Sequence, residues 1–248
     1  MRIIMAVLAL ALLSWAEPAK AQKTYSVSVS NHINLPELTA DQVKKILADA
    51  SLLLQKDPDH PETEDDVRCD VTFTLKGEIG TFGETPPLPP QVAKDQIDAV
   101  HGVRSDVDAD FYVKVVSRIM DFCRFGVEGL GLGRVFNGCG FPPNFRSIIV
   151  VHPDRHIDRN RMPIPQGEFP DDRLWAHEFG HLTGLGHRVD ERALMTPCPL
   201  DEQFSKFPHY SQVRVSRQEC TCLKWGPGFG PNGTCPLPSV SCEQPQSK

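Results

Sequence analysis

Past its first residues, this chain of 248 has no apolar run near the ~20 residues that a membrane-spanning helix needs, so no span is expected. It has no surplus of positive charge either. Its 26 Lys and Arg face 32 Asp and Glu, a net charge of −6. Nucleic-acid partners favour a basic surface, so none is expected here. There is no internal repeat, which sets aside repeat architectures. There is no C-x-x-C. The nearest pattern, Cys220-Thr221-Cys222, has the wrong spacing for a redox or zinc motif and reads as part of a structural disulfide set.

What is present at the start is an export signal. Arg2 precedes an uninterrupted apolar stretch from Ile3 to Leu13, and Ala19-Lys20-Ala21 supplies a small-x-small cleavage pattern. The expected mature chain begins at Gln22 and is secreted or periplasmic. Losing Arg2, Lys20 and Glu17 leaves 24 basic against 31 acidic residues, a net charge of −7. All eight cysteines, Cys69, Cys123, Cys139, Cys198, Cys220, Cys222, Cys235 and Cys242, follow the signal. An even number in an exported chain points to disulfides, although eight cysteines allow roughly 105 pairings and none is fixed by sequence. Residues 226–248 are rich in Gly and Pro and read as a stapled tail behind a main region of 22–225. Asn232-Gly233-Thr234 is a glycosylation sequon.

The most informative stretch is His177-Glu178-Phe179-Gly180-His181-Leu182-Thr183-Gly184-Leu185-Gly186-His187. Set Trp175 at zero on a wheel that turns 100° per residue. His177 and His181 then fall at roughly 200° and 240°, one turn apart on one face. Trp175, Phe179 and Leu182 cluster opposite, so one face can hold a metal while the other packs on a core. Glu178 sits beside the ligand face, placed to reach a metal-bound water. A straight helix would carry residue 187 past the metal. Gly184 and Gly186 tolerate the positive φ that ends helices, so the chain can turn and bring His187 back. Three imidazoles leave a fourth position open, as a catalytic zinc site requires. The bland alternative is an amphipathic helix with surface histidines.

The pattern resembles the metzincin zinc peptidases, whose signature H-E-x-x-H-x-x-G-x-x-H matches His177, Glu178, His181, Gly184 and His187. Their Met-turn matches Ala193-Leu194-Met195-Thr196-Pro197, with wording closest to the matrixin branch. Matrixins usually carry Ser after the third His, and this chain has Arg188. The matrixin pro-domain with its cysteine switch and the matrixin structural-zinc pattern are also missing. The resemblance implies one zinc ion on His177, His181 and His187, Glu178 as general base, and Met195 as an apolar floor. It implies a peptide or protein substrate, with a pocket lined in part by Leu194 and Pro197. The implied fold is α/β (α+β). A twisted, mixed five-stranded sheet with backing and active-site helices lies above a cleft, and a small lower lobe carries the Met-turn and a last helix.

Periodicity gives the order of elements. Tyr25–Val29 alternates as a strand. Thr39 and Gln42 form a capping box for a helix through Gln55. Strands are expected at Val67–Leu75, Phe111–Val116 and Ser147–His152, with a proline-rich connector at Thr85–Pro90 and a short helix at Gln91–Val100. Arg134-Val135-Phe136 reads as an edge strand, and Gly133–Phe136 as the cleft rim, with Val135 a pocket candidate. Asp171 is the expected N-cap of the zinc helix, and Ser216 with Glu219 caps the last one.

Other constellations are weaker. Asp57–Asp66 is acidic enough to suggest calcium but reads as a solvated loop. His152-Pro153-Asp154-Arg155-His156 suggests a second metal but lacks a fourth ligand. Asn137–Pro142 faintly resembles a switch peptide, and a free Cys139 thiolate could then occupy the zinc. A disulfide is the stronger expectation there. The functional reading is a zinc endopeptidase. The alternatives are a binding protein without turnover on the same scaffold and a zinc amidase acting on cell-wall peptides. Nothing in the sequence specifies an oligomeric state.

Overall fold

The computed structural model describes residues 22–55, 66–83, 107–117, 119, 137–140, 146–156, 162–165, 170–188, 193–195 and 213–226. The signal, most of the acidic loop, the connector and helix expected over 85–100, Val135 and the rest of the expected rim, Pro197, the sequon and the tail lie outside them. The first strand, β1, spans Lys23–His32. Its alternate residues Tyr25, Val27 and Val29 join the hydrophobic core. Ser28, Ser30 and His32 fall on the other face by alternation and are buried too. Helix α1, Ala40–Gln55, starts from the expected box. The Thr39 amide donates to Gln42 Oε1 at 2.9 Å, and the Gln42 amide donates to Thr39 Oγ1 at 3.3 Å. Val43, Leu47, Ala50 and Leu54 face the sheet core.

Among the described residues, the sheet is mixed and has six strands. β2 (Val71–Leu75), β3 (Gly80–Phe82) and β4 (Phe111–Val116) all pair in parallel with β1. β5 is Gly138–Gly140 and β6 is Ser147–Val151. β6 runs parallel to β4, and β5 lies antiparallel to β6 at the edge. The strand order is β2-β1-β4-β6-β5, with β3 on β1. The mixed α/β class is as expected. The strand count is six rather than five, because β3 is three residues long and too short to carry a period. The described edge strand is Gly138–Gly140, later than the expected rim. β2 starts four residues later than expected. The Val67 amide donates to Val215 O and the Cys69 amide to Leu54 O, so that backbone is occupied elsewhere.

A 3-10 turn at Pro153–Arg155 follows β6. Helix α2 spans Asp171–Leu182, and α3 spans Arg217–Trp225. α2 is fixed to the sheet by Phe179, which is fully buried. Its ring centroid lies 5.0 Å from Tyr25, 4.9 Å from Phe73 and 4.9 Å from Phe111. Each such pair contributes about 0.5–1.5 kcal/mol beyond burial. α3 has the expected capping box and is tied to β1, since the Tyr25 hydroxyl donates to Leu223 O at 2.8 Å. A disulfide joins Cys69 to Cys220, 151 residues apart in sequence. Cys139 and Cys222 are also disulfide-bonded, and among the described residues no cysteine is free. The idea of a Cys139 thiolate on the metal is thereby overturned.

Asp171 does not cap α2. Pro170 takes the N-cap position without a side-chain bond, and Asp171 is the first helical residue. Its carboxylate instead meets His156 Nε2 at 2.7 Å. That contact also accounts for the H-x-D-x-H stretch. His152 Nδ1 accepts from the Asp154 amide and His156 anchors α2, and among the described residues these side chains join no metal-holding group, in line with the missing fourth ligand.

The next residue, Asp172, is buried, and its carboxyl is pushed up to about 6, first by loss of hydration and then by Asp49 and Asp171. The amides of Arg173 and Asp172 oppose the shift. A carboxyl whose folded pKa exceeds its unfolded value favours folding while protonated, and that advantage is lost as pH rises from about 4 through 6. Asp172→Asn should therefore gain stability relative to the parent across that window, by up to about 3 kcal/mol at pH 7. Denaturant midpoints at pH 4 and pH 7 check this. Equal parent-to-variant differences at both pH values would defeat it.

Candidate metal centre

The side chains that could hold a metal come from two stretches with different backbones. His177 and His181 project from one face of α2, as i and i+4 residues must. The helix ends after Leu182, and Gly184 takes φ 83°, a left-handed value that favours glycine. Of the two expected glycines, Gly184 alone makes the turn. The chain then returns His187 to the other two rings. The three potential ligand nitrogens lie within 4.8 Å of one another. Among the described residues, this is the one group of three or more His, Cys, Asp or Glu side chains that converges in this way.

Hydrogen bonds fix which nitrogens face inward. His177 Nδ1 lies 2.7 Å from Leu194 O, and His181 Nδ1 lies 2.9 Å from Leu185 O. A carbonyl cannot donate, so both Nδ1 atoms carry hydrogen and both Nε2 atoms present lone pairs. Those two Nε2 atoms are 3.1 Å apart. Neither can donate to the other, and the contact is unfavourable without a cation between them. Two Zn–N bonds of 2.0–2.1 Å at a tetrahedral angle put their nitrogens about 3.3 Å apart. The donor set, its tautomers and its spacing therefore fit zinc. Burial is the main cause that holds all three imidazoles below the ordinary histidine range, with His181 down at about 4 and His177 well below its usual value. Neutral imidazole is the form that binds metal.

Met195 is fully buried under α2. A Cβ built on Gly180 would sit 2.4 Å from Met195 Sδ, so the glycine permits this close approach. Leu194 is also buried, and its carbonyl is what orients His177. The orienting roles of the Leu194 and Leu185 carbonyls had no signal in the sequence, because any residue type supplies a carbonyl.

Glu178 is buried, and its Oε2 has no hydrogen-bond partner among the described residues. Loss of hydration pushes its carboxyl up to about 8, and a hydrogen bond from the Gly140 amide pulls the other way. A cation held by the neighbouring histidines would also favour the carboxylate. β5 lies directly against this residue. Alternation along Gly138-Cys139-Gly140 turns both glycines toward α2 and Cys139 away. A Cβ on Gly138 would fall 2.4 Å from Glu178 Oε1, and one on Gly140 would fall 2.4 Å from the Glu178 carbonyl oxygen.

The two positions should respond differently. Gly138→Ala meets the movable end of a side chain, so stability should stay within about 1 kcal/mol while the peptide hydrolysis that the sequence motif leads one to expect falls at least tenfold. Gly140→Ala meets helix backbone and should cost about 2–3 kcal/mol as well as activity. Melting temperature and turnover on one peptide check this. A larger stability loss at Gly138 than at Gly140 would contradict it.

No family model matches the chain, and no curated protein matches it in sequence. Among solved structures it is similar to archaemetzincin from Methanopyrus kandleri, with a TM-score of 0.45 and 16% identity over 84% of this chain and 97% of that one. It is also similar to a zinc-dependent peptidase from Methanocorpusculum labreanum, with a TM-score of 0.41 and 15% identity over 80% of this chain and 99% of that one. What the site can do is therefore read from its own side chains.

Proposed function

We infer that the chain is a zinc-dependent endopeptidase. It is exported behind residues 1–21, with a catalytic region over 22–225 and a stapled tail over 226–248. One observation carries the reading. Two inward-facing Nε2 lone pairs lie 3.1 Å apart beside a third imidazole, and a buried carboxyl follows in the next position. Zinc, when bound, supplies Lewis acidity toward a water and a peptide carbonyl.

The chain supplies the rest. Glu178 accepts the proton of the attacking water on its carboxylate and delivers it to the leaving amine nitrogen. The Gly140 amide holds that carboxylate in place. The Leu194 and Leu185 carbonyls hold two of the rings. Among the described residues β5 is the last strand of the sheet, and the outer side of such a strand can take an extended peptide through main-chain hydrogen bonds. Among the described residues, no helix is long and apolar enough to cross a membrane.

The test is incubation of the purified protein with a mixed peptide library, read by mass spectrometry, alongside metal analysis. Internal cleavage that a chelator stops supports the reading. Stoichiometric zinc with no cleavage of any substrate points to a binding protein, and cleavage confined to wall peptides points to an amidase. Protein that takes up no zinc refutes the site itself.

A further inference from the structure

His177 and His181 each have a helix beneath them and a carbonyl on Nδ1. His187 has neither. It follows the Gly184 turn, and among the described residues no carbonyl accepts from its ring. Something else must set its distance from the other two.

The next residue meets a buried cluster of charges. The Arg188 amide donates to Met195 O at 2.8 Å. Arg188 Nη1 lies 3.5 Å from Asp66 Oδ1 and 3.3 Å from Glu219 Oε2. Arg214 Nε lies 3.7 Å from Asp66 Oδ2. The side chains of Asp66, Glu219 and Arg214 are only 2%, 2% and 3% exposed. Among the described residues, two cations, Arg188 and Arg214, face two carboxylates, Asp66 and Glu219. The cluster draws together parts of the chain far apart in sequence. Asp66 bridges to Ser216, Ala193 bridges to Arg214, and Glu219 caps α3 through the Ser216 amide. The Cys69–Cys220 disulfide closes the same junction.

Buried ion clusters are poor stabilisers, since desolvation offsets most of the attraction. What they do well is fix a geometry, because a displaced member leaves a charge buried and unpaired. We propose that Arg188 is a positioning residue for the third metal ligand. By bridging Asp66 and Glu219, it holds His187 where a tetrahedral ion needs it. The proposal rests on the zinc-site reading above.

The experiment compares wild type, Arg188→Met and the double variant Arg188→Met/Glu219→Gln. The single variant leaves a buried carboxylate unpaired. The double variant keeps Asp66 with Arg214 and preserves the capping box, which accepts Gln. Each protein is melted without metal. Its zinc affinity is then measured by chelator competition, and its cobalt-substituted form is read by visible absorption.

The double variant should regain the metal-free melting temperature of wild type. Both variants should bind zinc about 10–100-fold more weakly and show a shifted cobalt band. A residue that matters only for folding would move the melting temperature and leave the cobalt band alone. The proposal is overturned if the double variant binds zinc within twofold of wild type with an unchanged cobalt spectrum. If wild type itself binds no zinc, the site reading has failed, and the control shows that directly.

Discussion

Glu178→Gln should lose at least a thousandfold in peptide hydrolysis while keeping its zinc and its fold. Glutamine has the size and shape of glutamate and can still accept from the Gly140 amide through its carbonyl oxygen. It cannot take a proton. General base catalysis is worth about 10²–10⁴-fold, and in the proposed mechanism the same group also serves the leaving nitrogen, so the upper part of that range applies. Zinc content should be unchanged, because the three nitrogens that converge belong to His177, His181 and His187. Stability should hold or rise slightly. Burial already disfavours the Glu178 carboxylate, and a neutral amide avoids that penalty. The measurement is turnover on a cleaved library peptide, with zinc content and melting temperature on the same samples. Turnover within tenfold of wild type would remove Glu178 from the mechanism. A loss of zinc alongside activity would show that the substitution disturbed the ligands, and the activity result would then say nothing about a base.

Where local physics dominates, the sequence was readable. The i, i+4 spacing put His177 and His181 on one face, and the Gly184 turn answered to the need for positive φ. Both capping boxes, at Thr39 and at Ser216, formed as their residue types required. Where partners are remote, it was not. β3 and β5 are three residues each, too short for a period to register. β5 also reads as a glycine loop; it is a strand because it pairs with β6, and its glycine at 140 is needed because α2 passes too close for a Cβ. Asp171 has the composition of an N-cap, but His156 competes for its carboxylate across 15 residues of chain. Asp66 looked like part of a solvated acidic loop and is instead buried among arginines. Arg188 stood out only as a departure from the matrixin wording. Its role depends on residues 66 and 219, which no local pattern connects.

Removing the metal should abolish hydrolysis completely, and adding zinc should restore it without refolding. The argument turns on how much of the site exists before an ion arrives. α2 is held by Phe179 among Tyr25, Phe73 and Phe111, none of which touches a metal. The ring orientations of His177 and His181 are set by the Leu194 and Leu185 carbonyls. The chain turn at Gly184 is backbone geometry. Metal-free protein should therefore keep its secondary structure at 25 °C, unlike small zinc domains that unfold on chelation. It should still be less stable. A ligand present at a thousand times its dissociation constant contributes about 4 kcal/mol to a folded state that alone binds it. For a chain of this size, that corresponds to a fall of about 10 °C in melting temperature on chelation. Part of the loss has a specific source, the two lone pairs left facing each other at 3.1 Å. Circular dichroism, melting curves and peptide turnover before chelation, after it and after zinc is returned give all three readings. Activity that survives verified removal of the metal would end the zinc-peptidase reading. Collapse of the secondary structure on chelation would instead show that the ion builds the site, and that the carbonyls and aromatic rings around α2 do not hold it ready.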